Sequence, residues 1–284
     1  MNYNPYAAPS AQPQAQQHLQ GGGYGGGPVP VGVVLSQSWE LLKSNAGVAV
    51  GATFLVGFLL AIPLAGPLIA VQWYYFSDAF SAAMESGRSG GQLVFVLPAD
   101  YYMVQPLLTL WMVAAGQIFG PGYARLYVAI ARDQSPGVGV LFSGFGRVPA
   151  SIGWALLTSA PGLLVQGLLA LLALGGAGPQ VLQALGSLSG FAALPVLLFQ
   201  ALGLIYTTWF IADAKLGPIQ AAKVAWRASS RCRSETFLLL LALFVVNMLG
   251  ACACGLGLFV TLPWSMIAIA YAYNNLPKEP PAHA

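Results

Sequence analysis

The residues of this chain that could do chemistry are mostly cations and amides. Lys223, Arg227 and Arg231 fall at i, i+4 and i+8, so a helix carries them on one stripe; Trp226 lies beside them, and Ala221, Ala225, Ala228 and Cys232 form a small-residue face roughly opposite. Such a helix suits an anionic headgroup surface, where each cation contributes roughly 1 kcal/mol. Arg147 and Lys43 likewise precede long apolar runs and join the expected contacts to lipid or to a partner. Five amides, Gln105, Gln117, Gln166, Gln200 and Asn247, lie deeper within apolar runs. They read either as hydrogen-bonding groups between helices or, for Gln105, Gln117, Gln200 and Asn247, as a polar path for a solute. Met248, Cys252, Cys254 and Met266 are soft ligands of the kind that suit copper(I). The simpler reading of Cys-Ala-Cys is a run of small residues in a tight hairpin, and no metal or other cofactor is expected. Hydrolytic machinery is missing from the sequence. The two histidines, His18 and His283, lie in the tails, no Gly-x-Ser-x-Gly elbow occurs, and no carboxylates pair at helical spacing within an apolar run. The expectation is a protein that is not an enzyme.

The elements that must position these residues are membrane spans. Hydrophobic residues make up 57% of the 284 positions and charged ones 7%, with a mean hydropathy of +0.70, far from the roughly 25% charged residues of soluble domains. The formal charge of +3 is too small and scattered to point to nucleic acid. Three cysteines make no disulfide framework. Residues 1–30 hold Tyr, Pro, Gln and Gly without a lysine or arginine, the composition of a disordered tail. The Asn4-Pro5-Tyr6 opening could dock a protein partner.

From residue 31 the chain alternates amphipathic segments with apolar runs. Residues 31–45 place Val34, Leu35, Ser38, Leu41 and Leu42 at helical spacing and should lie in the interface. The first span follows over residues 46–76, long enough to kink at Pro63 or Pro67, and ends in the aromatic belt Trp73-Tyr74-Tyr75-Phe76. Residues 77–100 carry Asp78, Glu85, Arg88 and Asp100 and read as a loop with room for a short helix. The second span covers residues 101–131, where Gly116, Gly120 and Gly122 offer surfaces for close helix contact. A short amphipathic stretch over residues 136–149 introduces the third span (151–174), and the fourth runs from about 191 to 211, with 181–189 as its extension or as loop. The basic segment 213–233 leads into spans five (237–250) and six (258–273). Asp213 is expected to cap the basic helix or to pair with Lys215 or Arg231. Pro63, Pro106, Pro195 and Pro263 recur in these runs and read as kinks or as the broken helices of a binding site.

The fold class that results is all-α: an integral six-helix membrane bundle over residues 31–276, built from three units of interfacial amphipathic helix plus transmembrane hairpin. Setting Trp39 on Trp226 aligns the first unit with the third. Ten of the eleven cations, from Lys43 to Lys278, then fall on one side of the bilayer and Arg88 alone on the other. Both termini, including a short tail at residues 277–284, are expected in the cytoplasm.

The stretch from Ser38 to Asn45, the segments Gly122-Tyr-Ala-Arg125 and Phe142-Ser-Gly-Phe145, and residues 213–273 together resemble a bacterial family. This family comprises the multi-helix membrane domain attached to some glycerophosphodiester phosphodiesterases and its stand-alone relatives of unknown function. The resemblance covers residues 31–276. It implies the membrane fold and a bacterial cytoplasmic membrane location, and it does not extend to the soluble barrel that carries the phosphodiesterase chemistry. The leading expectation is a membrane scaffold or a protein that binds anionic lipid; the alternative is a transporter or channel for a small or amphiphilic solute.

Overall fold

A computed structural model describes residues 29–60, 66–89, 97–252 and 255–276. The N-terminal tail up to residue 28, Pro63, Cys254 and residues 277–284, for which the sequence raises expectations, lie outside the described residues. Among the described residues the chain is all-helical, with eleven α-helices and one long 3₁₀ helix. They are α1 (Val31–Ser44), α2 (Ala46–Leu60), α3 (Gly66–Arg88), α4 (Ala99–Gly116), α5 (Gly120–Ala131), the 3₁₀ helix (Val138–Arg147), α6 (Val148–Leu174), α7 (Pro179–Leu204), α8 (Thr207–Ala212), α9 (Pro218–Ser230), α10 (Arg233–Cys252) and α11 (Leu258–Asn274).

Helices 3₁₀–α6, α7 and α10 are long and apolar enough to cross a bilayer, and the number rises to five if the bent pairs α1–α2 and α4–α5 each count as one span. α11 is apolar but shorter. The exterior is correspondingly greasy, with Leu164, Phe191 and Trp73 each at least 70% exposed. Water is a poor solvent for such a surface, whereas hydrocarbon matches it. The chain thus has the long apolar helices of an integral membrane protein.

Several expected boundaries move. The stretch expected as the first span is described in two pieces, α2 with 15 residues to Leu60, about 22 Å of rise, and α3 from Gly66 with Pro67 in its first turn. α3 then continues without a break through Asp78, Glu85 and Arg88, so the helix there is part of a long one and not a short insert in a loop, because Tyr75, Ala79 and Ala83 give it a buried face at i, i+4 and i+8. The second span bends by 41° between α4 and α5. The fourth begins at Pro179, so residues 181–189 are its first turns, and it ends at Leu204, with Thr207–Ala212 as a separate helix.

At the other boundaries sequence and structure agree. α1 buries Val34, Ser38 and Leu42 and turns through 88° into α2 at Asn45. Asn45 makes that corner because its backbone N–H and its Nδ2 both donate to the Leu41 carbonyl, closing α1, while its own carbonyl accepts from Ala49 in α2. α9 buries Ala221, Ala225 and Ser229. The register that sets Trp39 on Trp226 also sets Val34, Ser38 and Leu42 on those three residues. The same register sets Val31 on Pro218 and Ala46 on Arg233, the first residues of α1 and α9 and of α2 and α10.

The core centres on α5, where Leu126, Tyr127 and Ile130 are fully buried. Around α5 pack the 3₁₀ helix, α8, α11 and the α1–α2 corner. Of the three glycines expected at close contacts only Gly122 makes one: a Cβ there would lie 1.7 Å from the Leu141 carbonyl oxygen of the 3₁₀ helix. On the α2 side the Tyr127 hydroxyl donates to the Ala49 carbonyl at 3.0 Å and lies 2.7 Å from Thr53 Oγ1. Each amphipathic helix leans on the apolar helix that closes the preceding stretch: the 3₁₀ helix on α5, and α9 on α7 and α8. α1 closes the ring against the last helix, α11, where Trp264 Nε1 donates to Ser38 Oγ at 2.9 Å.

Candidate functional site

At the C-terminal ends of α5, α8 and α11 the chain assembles a polar hub. Arg132 donates from both terminal nitrogens to the Asp213 carboxylate at 3.0 and 2.5 Å, and from Nε to Asn274 Oδ1 at 3.2 Å. The Tyr273 hydroxyl adds a third donor to Asp213 at 3.1 Å. Asp213 therefore pairs with Arg132 and not with Lys215 or Arg231, and α9 starts at Pro218 after Gly217, which gives it no side-chain cap. Local backbone explains this. Lys215 sits at φ 58, a left-handed kink that turns the chain between Asp213 and α9. Arg125 braces the same region, its Nε on the Ala212 carbonyl at 2.7 Å and a terminal nitrogen on the Ser143 carbonyl at 2.6 Å.

The six residues expected to contact lipid or a partner separate into two sets. Lys43 forms an ion pair with Glu40 at 2.7 Å, and Arg147 donates to the Lys215 carbonyl at 3.3 Å. Trp226 packs 4.7 Å from Phe199, under the Arg233 guanidinium at 4.1 Å, and its ring fills the space over Gly203 of α7. Ser229 ties the same helices by donating to the Gly203 carbonyl at 3.0 Å. Lys223, Arg227 and Arg231 remain exposed, and among the described residues none of them has a side-chain hydrogen bond or ion pair. Their helix is held by its buried small face, which leaves the charged stripe outward. Behind it the Cys232 thiol is buried, and desolvation pushes its pKa up, so the thiol stays protonated.

The deep amides likewise divide. Gln117 accepts a hydrogen bond from Ser151 Oγ at 2.9 Å, and Asn247 Nδ2 donates to Ser265 Oγ and to the Leu243 carbonyl, both at 2.8 Å. These two knit helix pairs. Gln105 and Gln200 instead line a cavity of about 620 Å³ between α4, α6 and α7, together with Gln166, Thr109, Thr158 and Ser189. Gln200 Nε2 donates to the Thr158 carbonyl at 3.0 Å, while the buried oxygens Gln105 Oε1 and Gln166 Oε1 accept no hydrogen bond. Gln117 and Asn247 are not among the residues that line this cavity. Among the described residues no three His, Cys, Asp or Glu side chains gather, and Cys252 is an exposed free thiol.

The sequence pointed to the cationic stripe through its spacing and to the amides through their depth. It gave no signal for the hub, whose partners lie in three different helices.

Comparisons with family models, curated proteins and solved structures gave no match.

Proposed function

We propose that this chain is a non-enzymatic, six-span protein of a bacterial cytoplasmic membrane, with both termini in the cytoplasm, that binds anionic lipid through the outer face of α9. The observation that carries the reading is the unpartnered stripe of Lys223, Arg227 and Arg231 on a helix whose opposite face is buried against apolar spans. Three cations without counter-ions, held at the edge of an apolar surface, are complemented by anionic headgroups at roughly 1 kcal/mol each.

Support for three repeated units comes from the shared helix starts and buried positions of α1–α2 and α9–α10, and from the ring in which each amphipathic helix leans on the preceding apolar one. In this reading α2 and α11 are short spans and α4–α5 is one bent span. We also propose kinship with the stand-alone relatives of the membrane domain found on some glycerophosphodiester phosphodiesterases.

Native mass spectrometry of the full chain released from membranes of mixed phosphatidylcholine and phosphatidylglycerol tests the lipid reading. The wild type is expected to retain phosphatidylglycerol, and the K223Q/R227Q/R231Q variant to retain at least about tenfold less, a conservative share of the summed cation term. Equal retention by both proteins would sink the reading.

A second reading, transport of a small or amphiphilic solute, draws on the cavity that gathers Gln105 and Gln200. Solute flux in liposomes, absent from a variant whose cavity is filled, would favour it over the scaffold.

A further inference from the structure

We propose that the turn joining α9 to α10 selects a phospholipid that carries two phosphodiesters on one glycerol bridge, held between Arg231 and Arg233. The inference rests on the anionic-lipid reading of α9 and adds the class of lipid. Arg231 and Arg233 are both exposed, while Cys232 between them is buried, so the turn is pinned inward at the thiol and presents an arginine on either side. Their Cα atoms lie within ~7 Å, the most that two residues can span. Backbone hydrogen bonds fix this turn: the Cys232 N–H donates to the Ser229 carbonyl at 3.0 Å, and the Thr236 N–H to the Cys232 carbonyl at 2.8 Å. Arg233 is positioned by a ring instead of an acid. Its guanidinium lies 4.1 Å from the ring centroid of Trp226, which itself packs on Phe199 of α7. A guanidinium over an indole face is restrained without using its N–H groups. Neither arginine has a side-chain hydrogen bond or ion pair among the described residues. The nearest carboxylate in sequence, Glu235, accepts from Ser234 Oγ at 2.8 Å and borders a small cavity against Val31 of α1 and Ala272 of α11.

Charge and connection select the lipid. Beyond the turn, α7 and α10 touch and expose Val196, Phe199, Phe237 and Leu241, so acyl chains have an apolar track that starts at the two guanidiniums. A lipid with one phosphodiester neutralises one arginine, or is shared by both and leaves positive charge in excess, with Arg227 and Lys223 one and two turns further along α9. Two such lipids would complement both arginines, but each must be immobilised. A single molecule with two phosphodiesters brings both charges for one ordering cost, because its second contact is intramolecular. The short bridge between its phosphates suits the short spacing of the arginines, and the planar fork of each guanidinium matches phosphate oxygens. Basic pockets at the ends of membrane helices are a known setting for such headgroups.

The test is native mass spectrometry of the full chain released from phosphatidylcholine membranes that contain either phosphatidylglycerol or cardiolipin at equal anionic charge. The wild type is expected to retain cardiolipin about tenfold more than phosphatidylglycerol. Arg233→Gln should bring cardiolipin down to the phosphatidylglycerol level, while phosphatidylglycerol itself changes by less than about twofold because the α9 stripe is intact. Arg233→Lys keeps the charge, loses the planar fork and should also lose most of the preference. Arg233 is exposed, so both variants are expected to fold. Equal retention of the two lipids by the wild type, or an undiminished preference in Arg233→Gln or Arg233→Lys, would overturn the selection and leave the anionic-lipid reading standing. A wild type that retains neither lipid would remove both.

Discussion

Gly122→Ala is expected to prevent folding or to cost on the order of 3 kcal/mol or more, the largest effect of any single methyl group in this chain. The new Cβ would lie 1.7 Å from the Leu141 carbonyl oxygen and 2.5 Å from its carbon, all backbone, so no rotamer change can relieve the clash. From the facing side Gly144 has the same problem, since a Cβ there would lie 2.1 Å from the Gly122 nitrogen. Two backbones are in direct contact, and α5 could make room only by displacing Leu126, Tyr127 and Ile130 from the core. Gly167→Ala is the control: its Cβ meets nothing within 4 Å, and the change should stabilise α6 by roughly 0.5–1 kcal/mol. Melting temperature and monodispersity of the two variants in detergent check the contrast. A Gly122→Ala protein that melts with the wild type would show that α5 and the 3₁₀ helix are not packed backbone to backbone.

Removing the carboxylate from the polar hub should have the next largest effect. Asp213→Ala leaves Arg132 and the Tyr273 hydroxyl without their shared acceptor and uncouples the ends of α5, α8 and α11. The pair is partly hydrated, with the arginine side chain 41% exposed and the aspartate 25%. The expected cost is therefore about 2 kcal/mol, below the range for fully buried pairs. Arg132→Met made on top of Asp213→Ala should add little, because the stranded guanidinium is what the first change leaves behind. Thermal unfolding of both single variants and the double variant measures the coupling. Strict additivity would mean that the three helix ends are held together by something else.

These two groups illustrate which parts of the molecule the sequence displayed. α9 and α10 were legible because a cationic stripe and then an unbroken apolar run are one-dimensional signals, and their helices fall close to the expected residues. α3 was not. Residues 77–88 are polar enough to resemble a loop, and the helix persists because Tyr75, Ala79 and Ala83 bury one face, a fact about neighbours that no local pattern encodes. Depth identified the amides, but only packing sorts Gln105, Gln166 and Gln200 into one cavity and sends Gln117 to Ser151 and Asn247 to Ser265. Asp213 was the sharpest miss. Its near neighbours in sequence are cations, yet its partner Arg132 lies 81 residues earlier in the chain, brought in by the convergence of α5 and α8.

The reading of the molecule depends most on its arrangement in the bilayer, and cysteine labelling in intact and permeabilised cells tests that arrangement directly. With Cys232, Cys252 and Cys254 replaced by serine, single cysteines would be placed at Ser89, Gly178 and Leu256 and, separately, at Ser135, Ala214 and Ser230, all exposed positions between helices or at helix ends. Six spans with a cytoplasmic basic face predict that an impermeant maleimide labels the first three in intact cells and the second three only after permeabilisation. Labelling of Ser135 or Ser230 from outside, or protection of Leu256 until the membrane is opened, would contradict it.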